Sequence, residues 1–206
     1  MFSIKDKFTF IHIPKTSGTN FQIRMENKEG VTNAYKDFPD REFIVENEKK
    51  DLKYLNQHQP LQWWLDRGIL NKEQHIFCFV RNPYARIVSM YNHMLTSGNN
   101  PDVTNFKEYV MMNVMDRKTP KDSDFTFNVG WPQYKFIENN QGINVKYYKI
   151  ENELSLVEKY IGYTFTDTRY NGRDYDPWHT YYDNETKERI KEKYKEDFIR
   201  FNYEYF

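Results

Sequence analysis

A short apolar strand that runs directly into a glycine-containing turn and a helix is the feature that most constrains this fold. Residues 8–13 form an apolar-rich run that predicts a buried strand, and Pro14 ends it. The turn at residues 15–19 follows, and a short helix is expected through Phe21, Ile23 and Met25. A strand, a tight turn and a helix in this order direct main-chain N–H groups toward one point. The segment therefore predicts an anion-binding turn.

The same order of strand, turn and helix recurs after residue 75. Residues 76–80 predict a second buried strand, and Asn82 and Pro83 then supply an N-cap and a proline at the first helical position. The helix that begins there carries one apolar stripe, formed by Ile87, Val88, Tyr91 and Met94.

The order appears a third time near the end of the chain. Residues 145–150 predict a strand, and residues 154–161 predict a helix that Gly162 ends. A last helix begins near Asp183 and keeps Ile190, Tyr194 and Phe198 on one face, and a short helix is expected over residues 106–115. The pattern predicts an α/β fold with a mainly parallel sheet, in which ligands bind at the carboxyl ends of the strands.

Composition limits both the architecture and the classes of partner. A length of 206 residues favours a single domain over residues 1–206. Hydrophobic residues make up only 38%, so the 17 Tyr and 16 Phe must supply much of the core. Equal numbers of basic and acidic residues, 30 of each, argue against a nucleic-acid partner. The lone Cys78 predicts a buried thiol, and the lack of a membrane-length apolar run predicts a soluble, cytoplasmic protein.

The first turn has the chemistry of a phosphate site. Gly18 allows close approach of the backbone, Lys15 adds a positive charge, and hydroxyl donors come from Thr16, Ser17 and Thr19. The order differs from the nucleotide triphosphatase signature, in which the lysine follows the last glycine. An ordinary strand-to-helix turn with a solvated lysine is the alternative interpretation.

A second candidate anion clamp follows the second strand. Arg81 lies just before the helix, and Ser89 falls on its second or third turn. A guanidinium and a hydroxyl can hold a phosphate from two sides. The alternative is that Arg81 and Arg86 pair with surface carboxylates and that Ser89 is simply a small helical residue.

Together the two segments resemble the motifs that bind 3′-phosphoadenosine 5′-phosphosulfate (PAPS) in the carbohydrate sulfotransferase superfamily. Residues 12–20 read HIPKTSGTN against an approximate family pattern of HIPKTGGTS, and residues 81–91 meet every fixed position of RNPxxRxxSxY. The chain is most similar to the branch of heparan sulfate 2-O-sulfotransferase and its microbial relatives. The departures are Ser17 in place of Gly and Asn20 in place of Ser or Thr.

This resemblance implies a P-loop-like three-layer fold and a sulfuryl transfer from PAPS to an acceptor hydroxyl, in line and without a metal. It implies that the turn from Thr16 through Ser17, Gly18 and Thr19 to Asn20 binds the 5′-phosphate and that Lys15 stabilises the leaving group. It also implies that Arg81 and Ser89 bind the 3′-phosphate. Arg173 is expected to close a late loop over the nucleotide.

The acceptor hydroxyl needs a base, and histidine is the first candidate because a neutral imidazole accepts protons near neutral pH. The chain has five: His12, His58, His75, His93 and His179. His58 resembles the family's histidine between the two motifs, and so it is the predicted base. An Asp or Glu base is the alternative.

The acceptor class is the least constrained part of the prediction. The resemblance implies a carbohydrate, and Trp63, Trp64, Trp131 and Trp178 are candidates either for stacking on sugar rings or for the core. Two other functions stay open at this point. One is a magnesium-dependent small-molecule kinase, and the other is a non-catalytic module that binds adenosine 3′,5′-bisphosphate.

Overall fold

One sheet organises the described part of the molecule. The computed structural model describes residues 2–4, 8–26, 31–33, 58–66, 68, 70, 73–97, 103–115, 130–162, 164–165 and 174–206. Within these residues the sheet contains strands β1 (Phe2–Ile4), β2 (Phe8–Ile11), β3 (Val31–Asn33), β4 (His75–Val80) and β5 (Lys146–Lys149). Their spatial order is β3-β1-β2-β4-β5.

Strands β2, β4 and β5 are parallel to one another, as the repeated strand–turn–helix order predicts. Phe10 pairs with Phe77 in the first ladder, and Phe79 pairs with Tyr148 in the second. The two short strands β1 and β3 extend the sheet in antiparallel pairing, β1 with both β2 and β3. The carboxyl ends of the three parallel strands therefore lie at one edge of the sheet.

Helices connect and cover these strands. The α-helices are α1 (Gly18–Glu26), α2 (Leu61–Asp66), α3 (Pro83–Ser97), α4 (Phe106–Tyr109), α5 (Leu154–Ile161), α6 (Asn184–Lys193) and α7 (Lys195–Arg200). A π-helix at Val110–Met115 continues α4, and 3₁₀ turns occur at Gln133–Phe136 and Trp178–Tyr181.

Local signals account for several of these boundaries. The Asn82 side chain accepts a hydrogen bond from the N–H of Tyr84 at the start of α3. Asp183 and Thr186 form a reciprocal capping box at α6. Gly162 ends α5 with φ = 75°, the left-handed conformation that glycine adopts without a Cβ penalty.

Successive side chains of the strands alternate between two buried layers. Phe77 and Phe79 face an aromatic cluster that Phe21 of α1 joins. Cys78 and Val80 face the opposite cluster, which includes Trp64 of α2 and Phe136. Helices α3, α4 and α6 contribute to a further cluster around Tyr84, Val88, Phe106 and Ile190. Helices thus pack on both faces of the sheet, which confirms the predicted α/β class and the parallel arrangement of its main strands.

Three segments differ from the predictions by more than a single terminal residue. Strand β2 ends at Ile11 rather than at residue 13, because its ladder with β4 ends at the Ile11–Cys78 pair. The segment at residues 106–115 is an α-helical turn that passes into a π-helix. The last helix changes direction at Tyr194, which has φ = −105° and ψ = 19°. This bend accompanies a buried hydrogen bond from the Tyr194 hydroxyl to the Gly130 carbonyl.

Candidate functional site

The two motif segments meet at the carboxyl edge of the parallel strands. The turn at residues 12–17 follows β2, and Arg81 follows β4, the strand that pairs with β2. Crevices at this edge are the usual ligand sites of open α/β sheets. The fold therefore brings together the two segments that the sequence analysis selected.

The turn after β2 adopts a tight conformation with two left-handed residues. Lys15 has φ = 66° and Ser17 has φ = 63°. The Thr16 side chain is buried and its hydroxyl donates to the Ile13 carbonyl at 2.9 Å. The Thr16 hydroxyl was predicted to face a ligand, whereas its proton is used inside the turn. Ser17 is exposed, and its carbonyl accepts from the N–H of Phe21 in the first turn of α1.

Gly18 lies against the ring of His12. A Cβ at residue 18 would stand 2.2 Å from Cδ2 and 2.3 Å from Nε2 of His12, far inside van der Waals contact. The His12 side chain is only 2% exposed, so its ring has little room to move. Glycine at this position is thus required by a contact within the protein, in addition to the close ligand approach that the sequence predicts.

His58 packs directly against the turn that follows β2. Its Nδ1 lies 2.8 Å from the carbonyl oxygen of His12, and the two imidazole rings meet edge to face at 4.3 Å. Because a carbonyl oxygen only accepts, Nδ1 must carry the proton, and the lone pair of the neutral ring is on Nε2. This tautomer is the one that a proton acceptor at Nε2 requires.

The environment keeps His58 neutral. Burial lowers its pKa to about 3, while the hydrogen bond to His12 opposes that shift. The positive charges of Lys15 and Arg86 lower the pKa further. The predicted base thus contacts His12, three residues before the predicted leaving-group lysine.

Arg86 joins the two motif segments from inside the protein. Its side chain is fully buried, and its Nε donates to the Pro14 carbonyl at 3.0 Å. Its Nη1 donates to the Trp131 carbonyl at 2.9 Å. The alternative interpretation of Arg86 as a surface residue is therefore wrong, because the side chain braces the turn against a neighbouring segment.

Arg81 is the half-buried arginine at the end of β4. Its Nη2 donates to the Tyr175 hydroxyl at 3.1 Å. Burial lowers the pKa of the Arg86 guanidinium, and the charge of Arg81 lowers it further. Ser89, the other member of the predicted clamp, is half-buried in the second turn of α3. Arg173 lies outside the described residues.

The beginning of α3 is closed by protein groups. The Asn82 side chain accepts from the N–H groups of Tyr84 and Ala85, and the main-chain N–H of Asn82 donates to the Glu151 carboxylate at 2.7 Å. Glu151 also accepts from the Tyr203 hydroxyl at 2.9 Å. Anion binding next to α3 must consequently use the Arg81 side chain rather than the amides that Asn82 and Glu151 occupy.

Thr19 and Asn20 directly follow Gly18 and are the last two residues of the predicted anion-binding turn. Both are half-buried in α1. The Asn20 amide donates to the Phe165 carbonyl at 2.9 Å, which ties α1 to the segment after α5. Asn20 therefore supports the turn structurally, in a position where the family pattern has Ser or Thr.

The remaining candidate side chains are distributed between core and surface. His93 and His179 are exposed, and His75 stacks on Phe77 at the opposite, amino-terminal end of β4. Trp63 and Trp64 are buried in the core, whereas Trp131 and Trp178 are half-buried. Only the second pair keeps surface that could meet a ligand.

The described residues also bear on the requirements of a metal site and of a membrane-spanning helix. In the part of the chain that the structure describes, no group of three or more His, Cys, Asp or Glu side chains is placed to hold a metal ion. Among the same residues, no helix combines the length and the apolarity that crossing a bilayer requires.

Sequence reasoning missed three residues that shape this site: Tyr175, Gln133 and Asp197. Tyr175 contacts Arg81 from a position 94 residues further along the chain. Gln133 and Asp197 are polar residues with 0% exposure. None of the three belongs to a motif or a periodic pattern, so only the fold reveals their contacts.

The comparisons with known proteins agree with this geometry. The model described as the sulfotransferase family matches residues 1–204. Searches of curated proteins and of solved structures each found no match.

Proposed function

Because the chain belongs to the sulfotransferase family, we propose that it transfers a sulfuryl group from PAPS to a hydroxyl of a carbohydrate acceptor, with His58 as the general base. The observation that carries the proposal is the position of His58. Its ring lies against His12 at the start of one motif, and Arg86 of the other motif donates to Pro14 in the same turn. These contacts support a single site at this edge of the sheet, formed by both motif segments and His58.

The turn suits the 5′-phosphate end of the donor. The main-chain N–H groups at the start of a helix have no acceptor within the helix, and they favour anions. We assign the cradle to the main chain from Thr16 through Ser17, Gly18 and Thr19 to Asn20. The Thr16 hydroxyl is bonded to Ile13, so its share is its main-chain amide. Lys15 stabilises the negative charge that develops on the departing phosphate oxygen.

The Arg81 side chain suits a 3′-phosphate. A guanidinium binds a phosphate through two parallel hydrogen bonds, and Tyr175 already orients one of its Nη atoms. In this proposal Ser89 adds a hydroxyl donor, and Arg173 approaches from the late loop. This pair of segments would distinguish PAPS from nucleotides that lack the 3′-phosphate.

With a pKa of about 3 His58 is by itself a weak base, so its role requires the negative charge of bound PAPS to raise that pKa toward neutrality. In that complex His58 removes the proton of the acceptor hydroxyl. With Nδ1–H bonded to His12, Nε2 is the atom that receives the proton as the acceptor oxygen bonds to sulfur. The sulfur–oxygen bond to the 5′-phosphate breaks, and its electron pair leaves with the nucleotide. Transfer of this kind depends chiefly on positioning and on charge stabilisation.

A transfer assay tests the proposal. Radiolabelled PAPS is incubated with a panel of mono- and disaccharides in the presence of EDTA, and labelled sugars are separated from the donor. Wild-type protein should label at least one sugar, Lys15→Ala should abolish labelling, and His58→Ala should reduce it by about 10²-fold or more.

The exposed Lys135 provides a matched control, because Lys135→Ala removes a lysine charge from the surface. This variant should transfer at the wild-type rate. Equal activity of His58→Ala and wild type would remove His58 from the role of base. Labelling of non-carbohydrate alcohols alone would overturn the acceptor class.

A further inference from the structure

The side chain of Gln133 makes two hydrogen bonds to the main chain of Arg81. The N–H of Arg81 donates to Oε1 at 2.9 Å, and Nε2 donates to the Arg81 carbonyl at 2.8 Å. The amide therefore pairs with Arg81 much as a neighbouring strand would, just beyond the end of β4. Gln133 is 0% exposed, so both bonds are shielded from water.

Gln133 is itself held from the other side by a buried carboxylate. Asp197 accepts from the N–H of Gln133 at 2.7 Å and from the N–H of Tyr134 at 2.9 Å. Asp197 is 0% exposed, and its electrostatic partner is the buried Arg86. One buried network thus connects α7, the 3₁₀ turn at Gln133–Phe136 and the residue that follows β4.

We propose that Gln133 is a positioning residue for donor recognition, because its amide fixes the main chain from which the Arg81 guanidinium reaches the 3′-phosphate. The inference rests on the proposed function, in which Arg81 binds that phosphate. A binding group whose main chain is already fixed loses less conformational freedom when its ligand arrives. Removing the two hydrogen bonds that fix the Arg81 main chain should therefore weaken binding of the 3′-phosphate. It should affect binding of the 5′-phosphate by the turn at residues 15–20 much less.

Two substitutions separate the hydrogen bonds from the volume of the side chain. Gln133→Met keeps a similar length and removes both bonds to Arg81. Gln133→Leu also removes both bonds and keeps an apolar side chain of comparable volume in the buried position. The second variant provides the measurement if the first does not fold.

Asn139 offers a matched control in the same region. Its side-chain oxygen accepts from the N–H groups of Gln141 and Ile143, and its amide donates to the Ile143 carbonyl. Asn139 is half-buried, and its bonds brace a local turn without involving Arg81. Asn139→Ala therefore reports the effect of losing a bracing loop amide that does not contact Arg81.

The measurement is the dissociation constant of adenosine 3′,5′-bisphosphate and of AMP, by calorimetric titration of each folded variant. Either Gln133 variant should weaken bisphosphate binding by about tenfold and AMP binding by less than about threefold. Asn139→Ala should leave the ratio of the two constants unchanged. With an identified acceptor, the Gln133 variants should raise the KM for PAPS more than they lower kcat.

An unchanged ratio in both Gln133 variants, beside a wild type that prefers the bisphosphate, would overturn the positioning role and leave the proposed function intact. An equal loss of both nucleotides would also overturn it, because a general structural role predicts that result. A wild type without any preference for the bisphosphate would instead overturn the proposed donor site, and the inference with it.

Discussion

The Nε atom of Arg86 donates a 3.0 Å hydrogen bond to the carbonyl oxygen of Pro14, and this contact joins the second motif segment to the first. The two residues are 72 positions apart in the chain. The bond orients the chain immediately before Lys15, so the geometry of the turn after β2 depends on a side chain of α3. Arg86 is thus a structural member of a motif that sequence analysis associates with ligand binding.

Arg86→Met should destabilise the protein by about 3 kcal/mol, because it leaves the buried carbonyls of Pro14 and Trp131 without their donor and Asp197 without its positive neighbour. Urea denaturation measures the loss. Arg200→Met is the control, since Arg200 is exposed and its pair with Glu196 contributes about 1 kcal/mol or less. Equal effects of the two substitutions would contradict the bracing role.

Ser17→Gly should stabilise the protein by about 0.5–1 kcal/mol. Ser17 has φ = 63°, where a residue with a Cβ costs roughly 1–2 kcal/mol, and the greater freedom of unfolded glycine offsets part of that gain. Ser17→Ala keeps the Cβ and should give no gain. Thermal denaturation of the three proteins gives the comparison, and a stabilised alanine variant would show that backbone strain is not the cause.

Gly18→Ala should cost about 1–3 kcal/mol and impair activity, because the new methyl group overlaps the buried His12 ring that contacts His58. The clash can be isolated with a double-mutant cycle. In a His12→Ala background the cost of Gly18→Ala should shrink by about 1 kcal/mol or more. If the two effects simply add, the His12 ring does not account for the glycine.

The stability of the wild type should fall more steeply with acid than that of His58→Gln. The pKa of His58 is about 3 in the folded protein against an ordinary value of 6.5, so between these values the unfolded chain binds the extra proton. The contribution of neutral His58 is therefore fully present above about pH 6.5 and is lost as the pH falls toward about 3.

Urea midpoints at about pH 7 and about pH 4.5 measure this difference. The loss of unfolding free energy between the two pH values should be larger for the wild type than for the variant. Other titrating groups, including Asp197 with its raised pKa, are common to both proteins and cancel in the comparison. Parallel losses in wild type and variant would show that His58 is not shielded as the structure has it.

Local patterns predicted much of the architecture because the relevant signals are contained within a few residues. The strand at Phe8–Ile11, the cap at Asn82 and the helix end at Gly162 each depend on neighbouring side chains or on a single backbone angle. The two strands β1 and β3 were not assigned, because three residues are too short to show a period of two.

The buried contacts of the site could not be predicted in the same way. The bond between Arg81 and Gln133 spans 52 positions, and the bond between Gln133 and Asp197 spans 64. A polar side chain ordinarily predicts a surface position, and only tertiary packing places these two side chains inside. The motif residues were found from the sequence, whereas the residues that hold them in place were not.

The most direct test of the donor site is the thermal stability of the wild-type protein with adenosine 3′,5′-bisphosphate, with AMP, and with ATP plus magnesium. At 100 times its dissociation constant a ligand stabilises its site by about 2.7 kcal/mol. A PAPS site predicts a clear rise in Tm with the bisphosphate and a smaller one with AMP at the same concentration. A rise with ATP plus magnesium and none with the bisphosphate would contradict a PAPS site at this edge of the sheet.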